Sequence, residues 1–130
     1  MPGSFRFQFR ATEVAADSTE THETVRFAND STRISSDNAI VLQAVAEILA
    51  HRPELRLEVR GHADEHERRR ASLGAPRAQA VIDDLVQRGV AADRLVLVDR
   101  GWAFPIDPLR PELNRRTDFN VISDAPRAPF

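Results

Sequence analysis

Apolar positions alternate with polar ones, or recur at helical spacing, along most of this chain, and that rhythm predicts seven elements. Phe5, Phe7 and Phe9 alternate with Arg6, Gln8 and Arg10, the pattern of a strand with one apolar face. Residues 12–23 are polar and read as a loop. Thr24-Val25-Arg26-Phe27 is a short strand, followed by a polar connection over residues 28–35. Ser35 or Ser36 is a suitable N-cap for a helix running to about His51. Asp37 lies in its first turn, where the helix dipole favours an anion. Val41, Leu42, Val45, Ile48 and Leu49 form its buried stripe, and Pro53 stops it.

Leu55, Leu57 and Val59 alternate with Glu54, Arg56, Glu58 and Arg60, a half-buried strand with one solvated face. Residues 64–70 form a charged loop. A second helix is expected from about Ala71 to Arg88, with Ala78, Val81, Ile82 and Leu85 inward and Gly89 placed for a C-cap. Pro76 is tolerated only in a first turn, so the regular helix starts nearer Ala75. Leu95-Val96-Leu97-Val98 lacks polar alternation and reads as a central strand. Residues 102–113 carry three prolines and form a long loop, residues 117–122 the last strand, and residues 124–130 a tail. The order gives a mixed sheet with two helices on one face, joined by right-handed crossovers.

The 130 residues suit one domain, and 42% hydrophobic with 29% charged residues supports a packed core. A net charge of −2 argues against a nucleic-acid binder. The 18 basic residues are arginines, which suit bidentate carboxylate recognition, although a GC-rich genome gives the same bias. Without cysteine, thiolate catalysis and cysteine metal sites are excluded. No apolar run approaches membrane-spanning length, and Met1-Pro2-Gly3-Ser4 does not open a signal peptide.

Gly61-His62-Ala63-Asp64 closes a strand, and Leu73-Gly74-Ala75-Pro76-Arg77-Ala78 opens a helix. Asp64 and Arg77 are thereby an anion and a cation held about a ligand's width apart, which suits a zwitterion. A plainer reading makes them a surface carboxylate and a helix-face arginine with no common role. The location favours the first, because open sheets gather ligands where a strand gives way to a helix. His62, Asp64 and His66 have an H-x-D-x-H spacing that could bind zinc or belong to a polar loop; His22 and His51 read as loop and helix-end residues. Glu65-His66-Glu67-Arg68-Arg69-Arg70 reads as a solvated loop, or as an electrostatic rim. Of Arg115 and Arg116, one can reach the sheet end while the other lies in solvent or pairs with Glu58. No nucleophile elbow or glycine-rich phosphate loop occurs.

Five pieces in order resemble the OmpA-like peptidoglycan-binding domain, closest to its peptidoglycan-associated lipoprotein branch. They are TVRFANDSTRI, LRLEVRGHADE, SLGAPRAQAVIDDLVQRGV, RLVLVDRGWAFP and NRRTDFNV, within residues 24–122. The resemblance implies an α+β fold, a β-α-β-α-β-β two-layer sandwich with an extra N-terminal strand. Residues 1–23 then form an extension with an edge strand, 24–123 the OmpA-like domain and 124–130 a tail. It further implies non-catalytic binding of the diaminopimelate of the peptidoglycan stem, with no cofactor. Asp64 would take the ammonium and Arg77 the carboxylate. Asp30 would contact the ligand, with the backbone amides of residues 29–32, Asn29 included, and Arg115 or Arg116 would border the site. The implied location is the periplasm, with an outer-membrane anchor in a segment absent from this chain and cell-envelope proteins as further partners. The chain departs from the pattern between Asp64 and Arg77, which is two residues shorter and lacks the family's glycine and Tyr-Asn pair. Ala28 also replaces a common acid. The alternatives are an interaction module working through the Phe5–Phe9 edge or the Trp102–Pro105 loop, and a metal hydrolase on His62, Asp64 and His66.

Overall fold

Alternating strands and two helices with one apolar stripe each can bury those faces only against one another. In the computed structural model, which describes residues 12–15, 18–67, 73–107 and 109–123, they do so around a five-stranded sheet. The strands are Thr12–Ala15 (β1), Ser18–Arg26 (β2), Leu55–His62 (β3), Leu95–Gly101 (β4) and Arg116–Ser123 (β5). The helices are Ala39–His51 (α1) and Gly74–Gln87 (α2). The strand order is β1-β2-β5-β3-β4, antiparallel except for the parallel pair β3 and β4.

Leu42, Val45 and Leu49 of α1 and Ala78, Val81, Ile82 and Leu85 of α2 share one core with Leu55, Leu57, Val59, Phe119 and Val121 of the sheet. Full burial of such a side chain is worth roughly 1.5–3 kcal/mol. Helix α2 ends as expected at Gly89, whose φ of 106° suits glycine. The amides of Gly89 and Val90 donate to Val86 and Leu85 carbonyls, the paired bonds of a Schellman motif. Its start at Gly74 places Pro76 in the first turn.

Three expectations are corrected. Residues 12–23 are not a loop: β1 and most of β2 lie there, so His22 is a strand residue. Helix α1 begins at Ala39, after a 3-10 turn over Ser36–Asn38, and Ser35 makes no side-chain cap. Buried Asn38 instead ties the end of β2, exchanging bonds with the amide and carbonyl of Arg26 at 3.3 and 3.2 Å. Finally, β4 is an edge strand: β5 inserts between β2 and β3, and the parallel crossover leaves β4 outside. The Phe5–Phe9 strand and the tail lie outside the described residues.

Candidate functional site

Glycine at two positions lets α2 abut the end of β3, backbone against backbone. A Cβ on Gly61 would stand 1.7 Å from the Gly74 carbonyl oxygen, and one on Gly74 would stand 2.6 Å from that of Gly61. Arg77, in the first turn of α2, is thereby fixed beside the strand exit. Its Nε donates to the Ser31 carbonyl at 2.9 Å. Nη1 donates to the His62 carbonyl at 3.1 Å and to Glu67 Oε1 at 2.7 Å. Nη2 donates to the Ala28 carbonyl at 3.2 Å and to Glu67 Oε2 at 2.7 Å. A guanidinium has five N–H donors, and all five are used.

The Arg77 and Glu67 side chains are both 0% exposed. Glu67 was expected in a solvated charge run. Its carboxylate instead accepts the amides of Asp30 at 2.6 Å and Asp64 at 3.1 Å as well as the guanidinium. Burial pushes the Glu67 carboxyl up, but the Arg77 bond and the two amides outweigh it and hold its pKa below the ordinary value. Asp30 takes part through its backbone, in a left-handed conformation with φ of 57°.

Asp64 is 2% exposed. Its Oδ1 accepts the His66 amide at 2.6 Å and its Oδ2 accepts Arg115 Nη1 at 3.1 Å. Arg115 Nε also donates to the Phe27 carbonyl. Asp64 and Arg77 therefore meet through Glu67. Beside Asp64 lies a crevice of about 30 Å³, walled by Ala63, Glu65, His66, Trp102, Pro105, Pro111 and Asn114. Buried Asn114 pins the β4–β5 loop, accepting the amides of Ile106 and Asp107 and donating to the Asp107 carbonyl.

Arg115 and Arg116 diverge, as strand alternation requires. Arg116 is neither in solvent nor paired with Glu58: it is buried, and its Nε donates to both Asp118 oxygens at 3.1 and 2.9 Å. Glu58 pairs with Arg60 and Asn120. His62 Nε2 lies 3.1 Å from Asp118 Oδ2. The H-x-D-x-H spacing thus does not become a ligand set: His62 joins Asp118, Asp64 joins Arg115, and His66 is exposed. No group of three metal-ligating side chains forms among the described residues. Asn29 is exposed.

The structure thus brings together Asp64, Arg77, Asp30 and Arg115, and sets Arg116 apart on the other face of the sheet. Glu67 was missed. Its one sequence signal was an acid in the shortened segment between Asp64 and Arg77.

The model of the OmpA family matches residues 26–117. A peptidoglycan-associated lipoprotein of Rhizobium meliloti is 39% identical over 82 residues, covering 62% of this chain and 47% of that protein. The peptidoglycan-binding protein ArfA of Mycobacterium bovis is 34% identical over 84 residues, covering 63% of this chain and 26% of that protein. The chain therefore spans about half the length of the first relative and about a quarter of the second. The crystal structure of the peptidoglycan-associated lipoprotein from Burkholderia pseudomallei superposes with a TM-score of 0.69 at 28% identity, over 75% of this chain and 88% of that one. With its family match spanning β3, α2 and β4, and with the motif residues gathered at one end of the sheet, the chain belongs to the OmpA family.

Proposed function

We propose that this domain binds peptidoglycan without catalysis, gripping the diaminopimelate of the stem peptide and tethering its parent protein or the outer membrane to the cell wall. It works in the periplasm, with the anchor in a segment outside this chain. The observation that carries the reading is that Asp64, a wall of the crevice, is bonded to Arg115 and, through Glu67, to the Arg77 network. The relatives' names, one of them a peptidoglycan-binding protein, support it. Asp64 accepts the ligand ammonium, and Arg115, Asp30 and Asn29 border it. Arg116, on the far face, supports the strand end. A ligand carboxylate reaches Arg77 by displacing Glu67. Replacing one carboxylate by another keeps the buried guanidinium paired, which costs far less than leaving it alone.

Pull-down with purified sacculi tests this. The protein is expected to sediment with diaminopimelate-type peptidoglycan and less with a lysine-type one. Asp64→Asn weakens retention and Glu67→Ala strengthens it. Protein left in the supernatant with both types sinks wall binding. Equal retention on both sinks only the diaminopimelate part.

A second reading, an interaction module with a degenerate pocket, has two observations behind it. Glu67 already takes two of Arg77's donors, and the β4–β5 loop exposes Trp102, Phe104, Ile106 and Leu109. It predicts no wall retention, and capture of a cell-envelope protein that is lost on Trp102→Ala.

A further inference from the structure

Across β3 from Asp64, on the face of the sheet without helices, lies a cavity of about 230 Å³. Its walls include Arg60 and His62 from β3, Arg100 from β4, Arg116 and Asp118 from β5, and Phe104 from the loop. Three guanidiniums face one carboxylate there. Arg60 is engaged with Glu58 at 2.8 Å. Asp118 holds Arg116 Nε and stands beside His62 Nε2, so it fixes both side chains from one side.

Four buried nitrogens nevertheless make no hydrogen bond among the described residues: Arg116 Nη1, Arg100 Nε and both ring nitrogens of His62, of which Nε2 has the Asp118 carboxylate beside it and Nδ1 has no such neighbour. Arg116 is 6% exposed and His62 3%. Buried polar groups without partners are rare in folded proteins, and several around one cavity point to something that fills it. The space exceeds that of a single water. The groups are also held in place beforehand. The Arg100 guanidinium lies 3.9 Å from the centroid of the Phe104 ring, and the Phe104 carbonyl accepts Arg116 Nη2 at 3.2 Å. These donors suit an anion that only accepts hydrogen bonds, and their convergence from three strands favours a tetrahedral oxyanion over a planar carboxylate.

We propose that this cavity is a binding site for a phosphate group, separate from the Asp64 crevice and independent of wall binding. Arg116 Nη1 and Arg100 Nε donate to its oxygens, and a protonated His62 donates from Nδ1 while Asp118 keeps Nε2. The groups facing His62 are Asp118 and Arg116 from β5, Arg100 from β4 and Arg60 from its own strand. Burial holds the His62 pKa below its ordinary value, against the pull of Asp118. A bound phosphate therefore draws it upward.

The test follows the His62 ring and arginine Nε signals of the 130-residue chain by NMR during titration with inorganic phosphate, against sodium chloride at matched ionic strength. A parallel arm measures co-sedimentation with phosphatidylglycerol and with phosphatidylcholine vesicles. Saturable phosphate binding with an upward shift of the His62 titration supports the site and a soluble phosphorylated ligand. Selective capture by phosphatidylglycerol vesicles, lost in Arg100→Gln, supports the same chemistry with a lipid headgroup as the source. Arg100→Gln, on the edge strand, keeps the fold and weakens binding about tenfold; His62→Gln removes the coupling to pH. The proposal is overturned if neither arm responds, if chloride moves the signals equally, or if Arg100→Gln binds like the unaltered protein.

Discussion

Around Arg77, five donors meet five acceptors in a buried interior; across the same strand, around Arg116, four buried nitrogens make no hydrogen bond among the described residues. Both clusters are rich in arginine, and both grow from the end of β3. The first is closed by the chain's own Glu67 and holds the loops together. The second is held in shape by Asp118 but leaves donors over. An arginine whose donors are spent on the fold contributes stability and takes a ligand only by exchanging a partner, and one with donors left over in a cavity is available without that exchange. Substitutions that act on stability should thus separate the two clusters.

The largest effect is expected from Arg77→Ala, which strands the Glu67 carboxylate in the interior. Urea denaturation should show a loss of about 3–5 kcal/mol. Replacing both partners, Arg77→Met with Glu67→Leu, should recover most of it. A single substitution that costs almost nothing would show that the pair is hydrated in solution.

Acid attacks the same pair. The folded pKa of Glu67 is lowered from 4.5, so its stabilisation is full above that value and disappears as pH falls through the folded value. His62 acts in the same direction and earlier. Its folded pKa is lowered from 6.5, so the unfolded chain takes up that proton first and stability declines below 6.5. Denaturation midpoints between neutral and acid pH should therefore fall in two stages. Glu67→Gln should flatten the lower stage and His62→Gln the upper.

Arg115→Ala comes next, at about 1–3 kcal/mol, because among the described residues it leaves the Asp64 carboxylate only the His66 amide, and it lies nearer solvent than Arg77. Arg100→Gln is the smallest: a thermal melt within about 0.5 kcal/mol of the unaltered protein is expected. A large loss there would mean that the second cluster, too, is part of the scaffold.

What could be read from residue order follows from how local each feature is. The inward residues Leu55, Leu57 and Val59, and the helix stop at Gly89, are set by short-range periodicity and turn chemistry, and both were legible. The hairpin of β1 and the first part of β2 was not, because the threonines and acids of residues 18–24 carry no apolar face. The edge position of β4 was not legible either: strand order depends on where β5 inserts, which no local pattern encodes. Asp64 and Arg77 were located by their places at a strand exit and a helix start. Their partners were not, since Glu67 is buried by groups from three separate segments, around Asp30, Asp64 and Arg77. In a run of alternating charges, nothing distinguishes the one acid that turns inward.

The two amides on Glu67 also carry a time. The protons on Asp30 and Asp64 sit on loops far apart in the chain, yet both point at one carboxylate and can exchange with solvent only when it departs. Their shared exchange rate, set against that of Leu57 and Val59 in the sheet, measures how often this corner opens without the rest of the protein. That frequency is the upper limit on how quickly another carboxylate can take Glu67's place.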